Sequence, residues 1–138
     1  MADSDELCQS TLSEVAGWLK SKKVSPVEVL EAVRRRIERL NPTLNAFITL
    51  TLDEATQEAE RAESEIARGH YRGPLHGVPV SLKDLYATRG VRTTAGSKVL
   101  ADWVPDHDSD ATERLRRAGA LLIGKTNIHE FALGSTTI

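Results

Sequence analysis

The chain has 138 residues, enough for one domain that buries roughly two-thirds of its unfolded surface. A hydrophobic share of 40% and a charged share of 28% are ordinary for a globular protein, and a net charge of −2 gives no field to draw in nucleic acid or an anionic membrane. The single cysteine, Cys8, excludes an internal disulfide and suits a reducing compartment. No apolar run approaches the ~20 residues that span a bilayer, and a start with Asp3, Asp5 and Glu6 is too acidic for a secretory or mitochondrial leader, so the expected location is cytoplasmic.

Residues 1–9 read as a loose polar start. Thr11 and Glu14 form a T-x-x-E capping box, and Leu12, Val15 and Leu19 recur at helical spacing, which predicts a helix over about residues 12–20. Ser25, Pro26 and Glu28 open a second helix with an N-cap, a first-turn proline and a capping glutamate; Leu30, Val33, Ile37 and Leu40 mark its inner face, and Pro42 is expected to stop it near residue 40. Ala46 to Thr51 reads as a strand. Asp53 is the expected cap of a third helix whose inner face is Ala55, Ala59, Ala62 and Ile66, small side chains that imply close packing. Gly69 to Gly77 is a loop and Val78 to Leu82 a second strand. Residues 85–108 read as irregular. Asp110 and Glu113 open a fourth helix that ends near Gly119, Leu121 to Ile123 is a fully apolar third strand, and Asn127 and Glu130 can cap a short last helix. Helices alternating with short apolar strands predict an α/β sheet covered on both faces. Phe131 to Ile138 carry no stop signal, so the domain is expected to be incomplete.

The run Gly77-Val78-Pro79-Val80-Ser81-Leu82-Lys83-Asp84 ends in a lysine. An ammonium buried without a partner costs several kcal/mol or loses its proton, and a neutral lysine is a good base. The pattern leaves two readings open. Lys83 is a buried base, or it lies just past the strand, exposed or paired with Asp84. Ser81 and Lys83 share one face of an extended strand, so a Ser81–Lys83 dyad is conceivable, although neither G-x-S-x-G nor S-x-x-K occurs.

Several motifs fail on physical grounds. Gly119-Ala-Leu-Leu-Ile-Gly124-Lys125-Thr126 fits the phosphate-loop pattern letter for letter, but a helix precedes it and the apolar residues between the glycines are themselves a strand. Asp106-His107-Asp108-Ser109-Asp110 begins like a calcium loop, yet Ala111 stands where glycine is needed and Arg117 where the glutamate should be. His70, His76, His107 and His129 show no metal-ligand spacing, so no metal or other cofactor is expected. Lys20 to Lys23 and the consecutive Arg34, Arg35 and Arg36 fan out around their helices and read as solvated faces rather than an RNA-binding stripe.

Taken in order, Gly73-Pro74-Leu75-His76-Gly77-Val78-Pro79-Val80-Ser81-Leu82-Lys83-Asp84, Thr93-Thr94-Ala95-Gly96-Ser97, Asp110-Ala111-Thr112, Arg117-Ala118-Gly119-Ala120 and Gly124-Lys125-Thr126-Asn127-Ile128-His129-Glu130-Phe131-Ala132 closely resemble the amidase signature family. The likeness is strong over residues 73–136 and weaker from about residue 10. It implies the N-terminal portion of the amidase signature fold, with a helical part carrying one strand at about 10–68 and the start of the amidase core at about 73–138. It also implies cleavage of a carboxamide by a Ser–cis-Ser–Lys triad, in which Lys83 matches the catalytic lysine. Asp84 would then end the strand and orient the lysine's backbone, with Ser97 and the Asn127 region as support. The resemblance implies that both serines belong to a Gly/Ser-rich segment absent from these 138 residues. The isolated chain is therefore expected to be inactive. Within the family the alternatives are a stand-alone amidase, which the Thr126–Phe131 wording slightly favours, and the A subunit of a glutamine-dependent tRNA amidotransferase. The expected partners are a small-molecule amide and either a second copy of the chain or the amidotransferase subunits. A reading of another class is a catalytically dead module that binds a partner.

Overall fold

The computed structural model describes residues 4–134; Ser135 and Thr136, the end of the stretch that carries the resemblance, lie outside them. The polar start is more ordered than its composition suggests: Ser4–Gln9 forms a short helix, α1, because Leu7 turns inward onto α2 (Leu12–Lys20) and α3 (Pro26–Leu44). Both capping boxes expected at the helix starts hold at the atomic level. The Thr11 hydroxyl accepts from the Glu14 N–H at 3.3 Å while the Glu14 carboxylate accepts from the Thr11 N–H at 2.8 Å. Ser25 and Glu28 repeat the exchange at 3.2 and 2.8 Å.

Pro42 does not stop α3, which runs to Leu44. So close to the C-terminus a proline forfeits a single ladder bond. The end is secured instead by Asn45 in the left-handed conformation (φ 49°), whose N–H donates to the Asn41 carbonyl at 2.8 Å, and by the Asn41 side chain, which accepts from the Phe47 N–H at 2.9 Å. β1 (Phe47–Leu50) follows, then α4 (Leu52–Ala67). The residue at the N-cap of α4 is Thr51, not Asp53, which sits in the first turn; the Thr51 hydroxyl is turned away to donate to the Leu122 carbonyl at 2.7 Å. Ala55, Ala59, Ala62 and Ile66 are buried as their spacing requires.

β2 (Pro79–Lys83), α5 (Asp110–Arg117) and β3 (Leu121–Thr126) complete the regular elements, with single 3₁₀ turns at Lys98–Leu100 and Glu130–Ala132. The strand order is β1-β3-β2; β3 is antiparallel to β1 and parallel to β2, so the sheet is mixed. β3 is twice as long as its apolar run predicts, because Gly124, Lys125 and Thr126 stay in the ladder opposite Ser81, Leu82 and Lys83. At Gly124 (φ 150°) a Cβ would lie 2.4 Å from the Thr49 carbonyl oxygen, so only glycine lets β1 approach there.

Two apolar clusters hold the elements together. Leu7, Val15, Leu19, Val24, Val29, Ala32 and Val78 join the first three helices to the entry of β2. Leu30, Ile37, Ala55, Ala59, Leu121 and Ile123 clamp α3 and α4 onto β3. Arg34 departs from the solvated face expected of it. It is half-buried against α4, donating to the Leu52 carbonyl at 3.1 Å and the Thr56 hydroxyl at 2.8 Å.

Candidate active site

Strand alternation sets the site. Along the end of β2 and into the next residue, Ser81 is exposed, Leu82 buried, Lys83 exposed and Asp84 buried. Lys83 is thus the last residue of the strand, paired in register with Thr126, and exposed: it is neither the buried lysine of the first reading nor past the strand as in the second. No hydrogen bond or ion pair to the Lys83 ammonium occurs among the described residues, and the expected alternative partner, Asp84, faces the other way. Ser81 shares the exposed face with Lys83, but no hydrogen bond joins the two side chains.

The buried lysine of this sheet is Lys125. Its side chain is 1% exposed, and that of Asp84 is 0% exposed. Lys125 Nζ donates to the Tyr86 carbonyl at 2.6 Å and to Thr93 Oγ1 at 2.7 Å, and lies 3.7 Å from Asp84 Oδ1. Asp84 Oδ1 has no hydrogen bond, so the ammonium is what compensates it. Asp84 Oδ2 accepts from both the Thr94 N–H, at 2.9 Å, and the Thr94 hydroxyl. Burial pulls the Lys125 ammonium below the usual lysine range, and Asp84 opposes that pull.

The loop of small residues at 93–97 is fastened on both sides of this pair. The Ala95 N–H donates to the Asp84 carbonyl at 2.8 Å, and the Phe131 N–H to the Ala95 carbonyl at 2.8 Å. Ser97 is buried and donates to Glu130 Oε1 at 2.6 Å while capping the first 3₁₀ turn. Gly96 (φ 65°) leaves room for the Ile128 carbonyl, 2.8 Å from where a Cβ would stand. Asn127 faces the start of β1: its N–H donates to the Ala46 carbonyl at 2.8 Å and its amide to the Asn45 carbonyl at 3.1 Å. Its side-chain Oδ1 accepts from the Ile128 N–H at 2.9 Å, and the expected cap of the last turn is taken by His129 without a side-chain bond.

Sequence reasoning missed Lys125 because the third strand was expected to end at Ile123. The signal was present: a lysine one glycine beyond the most apolar run of the chain is the same kind of anomaly that singled out Lys83. The charge pattern of an exposed strand end gave Lys83 no contacts to read, whereas Thr93 and Thr94, read only as small residues, proved to be the polar lining of the Lys125–Asp84 pair.

The family described as Amidase matches residues 28–138. The A subunit of glutamyl-tRNA(Gln) amidotransferase from Geotalea daltonii is 46% identical over 96% of this chain and 27% of its own length, and that from Geobacter sulfurreducens is 47% identical over 95% and 27%. Among solved structures, native peptide amidase from Stenotrophomonas maltophilia superposes with a TM-score of 0.85 at 34% identity, covering 94% of this chain and 27% of that one. A fatty acid amide hydrolase gives a TM-score of 0.87 at 25% identity, over 94% and 23%. The chain spans about a quarter of the length of the curated relatives it matches. With most of its residues inside the family's match and its helices and mixed sheet superposing on amidases, the chain belongs to the amidase signature family.

Proposed function

We propose that the whole protein cleaves a carboxamide C–N bond with Lys83 as the base of a Ser–cis-Ser–Lys triad. The observation that carries this reading is the exposed ammonium at the end of β2, presented by a neighbour, Asp84, that is wholly buried. Neutral Lys83 takes the proton of the cis-peptide serine, which takes that of the nucleophilic serine. The nucleophile attacks the amide carbonyl, the backbone N–H groups of the Gly/Ser-rich segment hold the oxyanion, and the proton passes to the departing nitrogen. Ammonia or an amine leaves an acyl-enzyme, which water or another acceptor cleaves. Desolvation is what strips a lysine of its proton. An exposed Lys83 therefore requires a cover, supplied by substrate or by the parts that bring the serines.

A second reading, the ammonia-releasing A subunit of a tRNA amidotransferase, is favoured by sequence: relatives of that name are 42–47% identical to the chain, against 25–39% for the solved amidases. Its partners would be the other amidotransferase subunits. The test is ammonia release by the full-length gene product from L-glutamine and from a panel of primary carboxamides, alongside affinity capture from its own source. Ammonia from the panel with no subunit recovered supports the stand-alone enzyme. Ammonia from glutamine with subunits recovered supports the transferase. No ammonia from either would leave the partner-binding module as the reading. The isolated 138 residues should release none, and Lys83-dependent release from them would contradict the assignment of the serines to a missing segment.

A further inference from the structure

The Asp84–Lys125 pair is the most deeply buried charged group among the described residues, and the chemistry above does not use it. We propose that it is a positioning device for Lys83, an inference that rests on the assignment of Lys83 as the base. One peptide bond separates Lys83 from Asp84, and the pleat puts them on opposite faces, so anchoring Asp84 inward holds Lys83 outward. The anchor grips the backbone on both sides. The Asp84 N–H donates to the Thr126 carbonyl at 3.2 Å, and the Tyr86 N–H closes a turn onto the Lys83 carbonyl at 3.0 Å. Lys125 then clamps that turn through the Tyr86 carbonyl, while Asp84 holds the Thr94 side of the covering loop. Lys83 thus leaves the sheet from a backbone held at Lys83, Asp84 and Tyr86. Stability alone does not account for the pair, since two apolar residues in place of a buried ion pair are commonly as stable or more so. Glu54, Glu58 and Arg61 from α4, Arg89 from the loop and Arg116 from α5 line the cavity that Lys125 borders and are the other charged groups on that side of the pair.

The experiment compares full-length wild type with a double variant, Asp84→Leu with Lys125→Met, which removes both charges together. The primary readout is the pH profile of Lys83 acetylation by acetic anhydride, followed by peptide mass spectrometry, with thermal melting in parallel. We expect the Lys83 profile of the double variant to shift by at least about half a pH unit, and kcat for ammonia release from L-glutamine or acetamide to fall roughly 10- to 100-fold with KM within about twofold, the loss that misplacing a catalytic group produces. A double variant with a superimposable Lys83 profile would overturn the proposal. Should that variant fail to fold, Thr93→Val removes one acceptor of Lys125 without changing shape. It should shift the Lys83 profile in the same direction, and an unchanged profile overturns the proposal equally. Lys83→Ala separates the layers. If it abolishes turnover while the double variant keeps wild-type kcat, the base assignment stands and the positioning role falls; if it keeps turnover, both fall.

Discussion

Three side chains decide what single substitutions do here. His76 is 1% exposed, with Nδ1 accepting from the Arg72 N–H at 3.2 Å and Nε2 lying 3.1 Å from Glu65 Oε2, the arrangement of a neutral ring that donates through Nε2. Burial holds His76 below its usual range, the Arg72 charge adds to this, and Glu65 opposes it. Below about pH 6.5 the unfolded chain therefore takes up the proton before the folded one does; the stability tied to this ring is complete above that pH and is lost as pH falls through the depressed folded value. Glu65, held low chiefly by its hydrogen bond from Arg72, adds a loss of the same sign at lower pH. Thermal melting should be flat from about pH 8 to 7 and decline as pH falls below about 6.5, and His76→Gln should flatten that decline even though it lowers the melting point overall. The two lysines should differ sharply. Lys83→Ala removes an exposed side chain and should change stability by less than about 0.5 kcal/mol, whereas Lys125→Met leaves Asp84 buried and alone and should cost about 3–5 kcal/mol by urea denaturation. At this scale the sequence exposed the anomaly of lysine at the end of an apolar run. It did not say which of two such lysines is buried, because that depends on whether the strand stops at Ile123 or continues to Thr126, a matter of pairing with β2 rather than of local pattern.

Elements were legible where local chemistry alone fixes them. The capping boxes at Thr11 and Ser25 and the alanine face of α4 each follow from residues within one or two turns. Ser25→Ala should cost about 1 kcal/mol, the usual worth of such a cap, measurable as a lower urea midpoint at constant slope. The departures at α1 and α4 come from distant partners, and the one at α3 from a local cap. α1 forms because Leu7 finds the α2–α3 core, Thr51 replaces Asp53 at the start of α4 because its hydroxyl reaches the Leu122 carbonyl, and α3 outlasts Pro42 because Asn41 and Asn45 hold its end. Gly124 is where β1 comes closest to β3. Gly124→Ala would press a methyl group onto the Thr49 carbonyl and should lower stability by about 1–3 kcal/mol, with loss of amide-exchange protection concentrated in β1.

At the scale of the whole molecule, strand order decides which edges are left open. The central place went to β3, and the open sides belong to β1 and β2. Leu44, Val99, Val104 and Leu133 add exposed apolar surface, all of them more than half exposed. Unpaired edges and apolar surface together favour association with a further strand or chain. The isolated 138 residues should accordingly sediment as a concentration-dependent mixture in the micromolar range, and a monomer with a sharp two-state melt would contradict this. The α/β class was readable from alternating helices and strands, and the family, with the mixed sheet its fold implies, from the Gly73–Ala132 motifs; strand order was not, because no local residue encodes which strand is central.

On the proposed chemistry Lys83, and not the buried Lys125, is the base for amide cleavage. The most direct measurement is kcat/KM of the full-length protein for a primary carboxamide, wild type against Lys83→Ala, with melting temperatures recorded on the same samples. A fall of about 10²- to 10⁴-fold with an unchanged melting temperature is the predicted result. Undiminished turnover by Lys83→Ala at an unchanged melting temperature would contradict it.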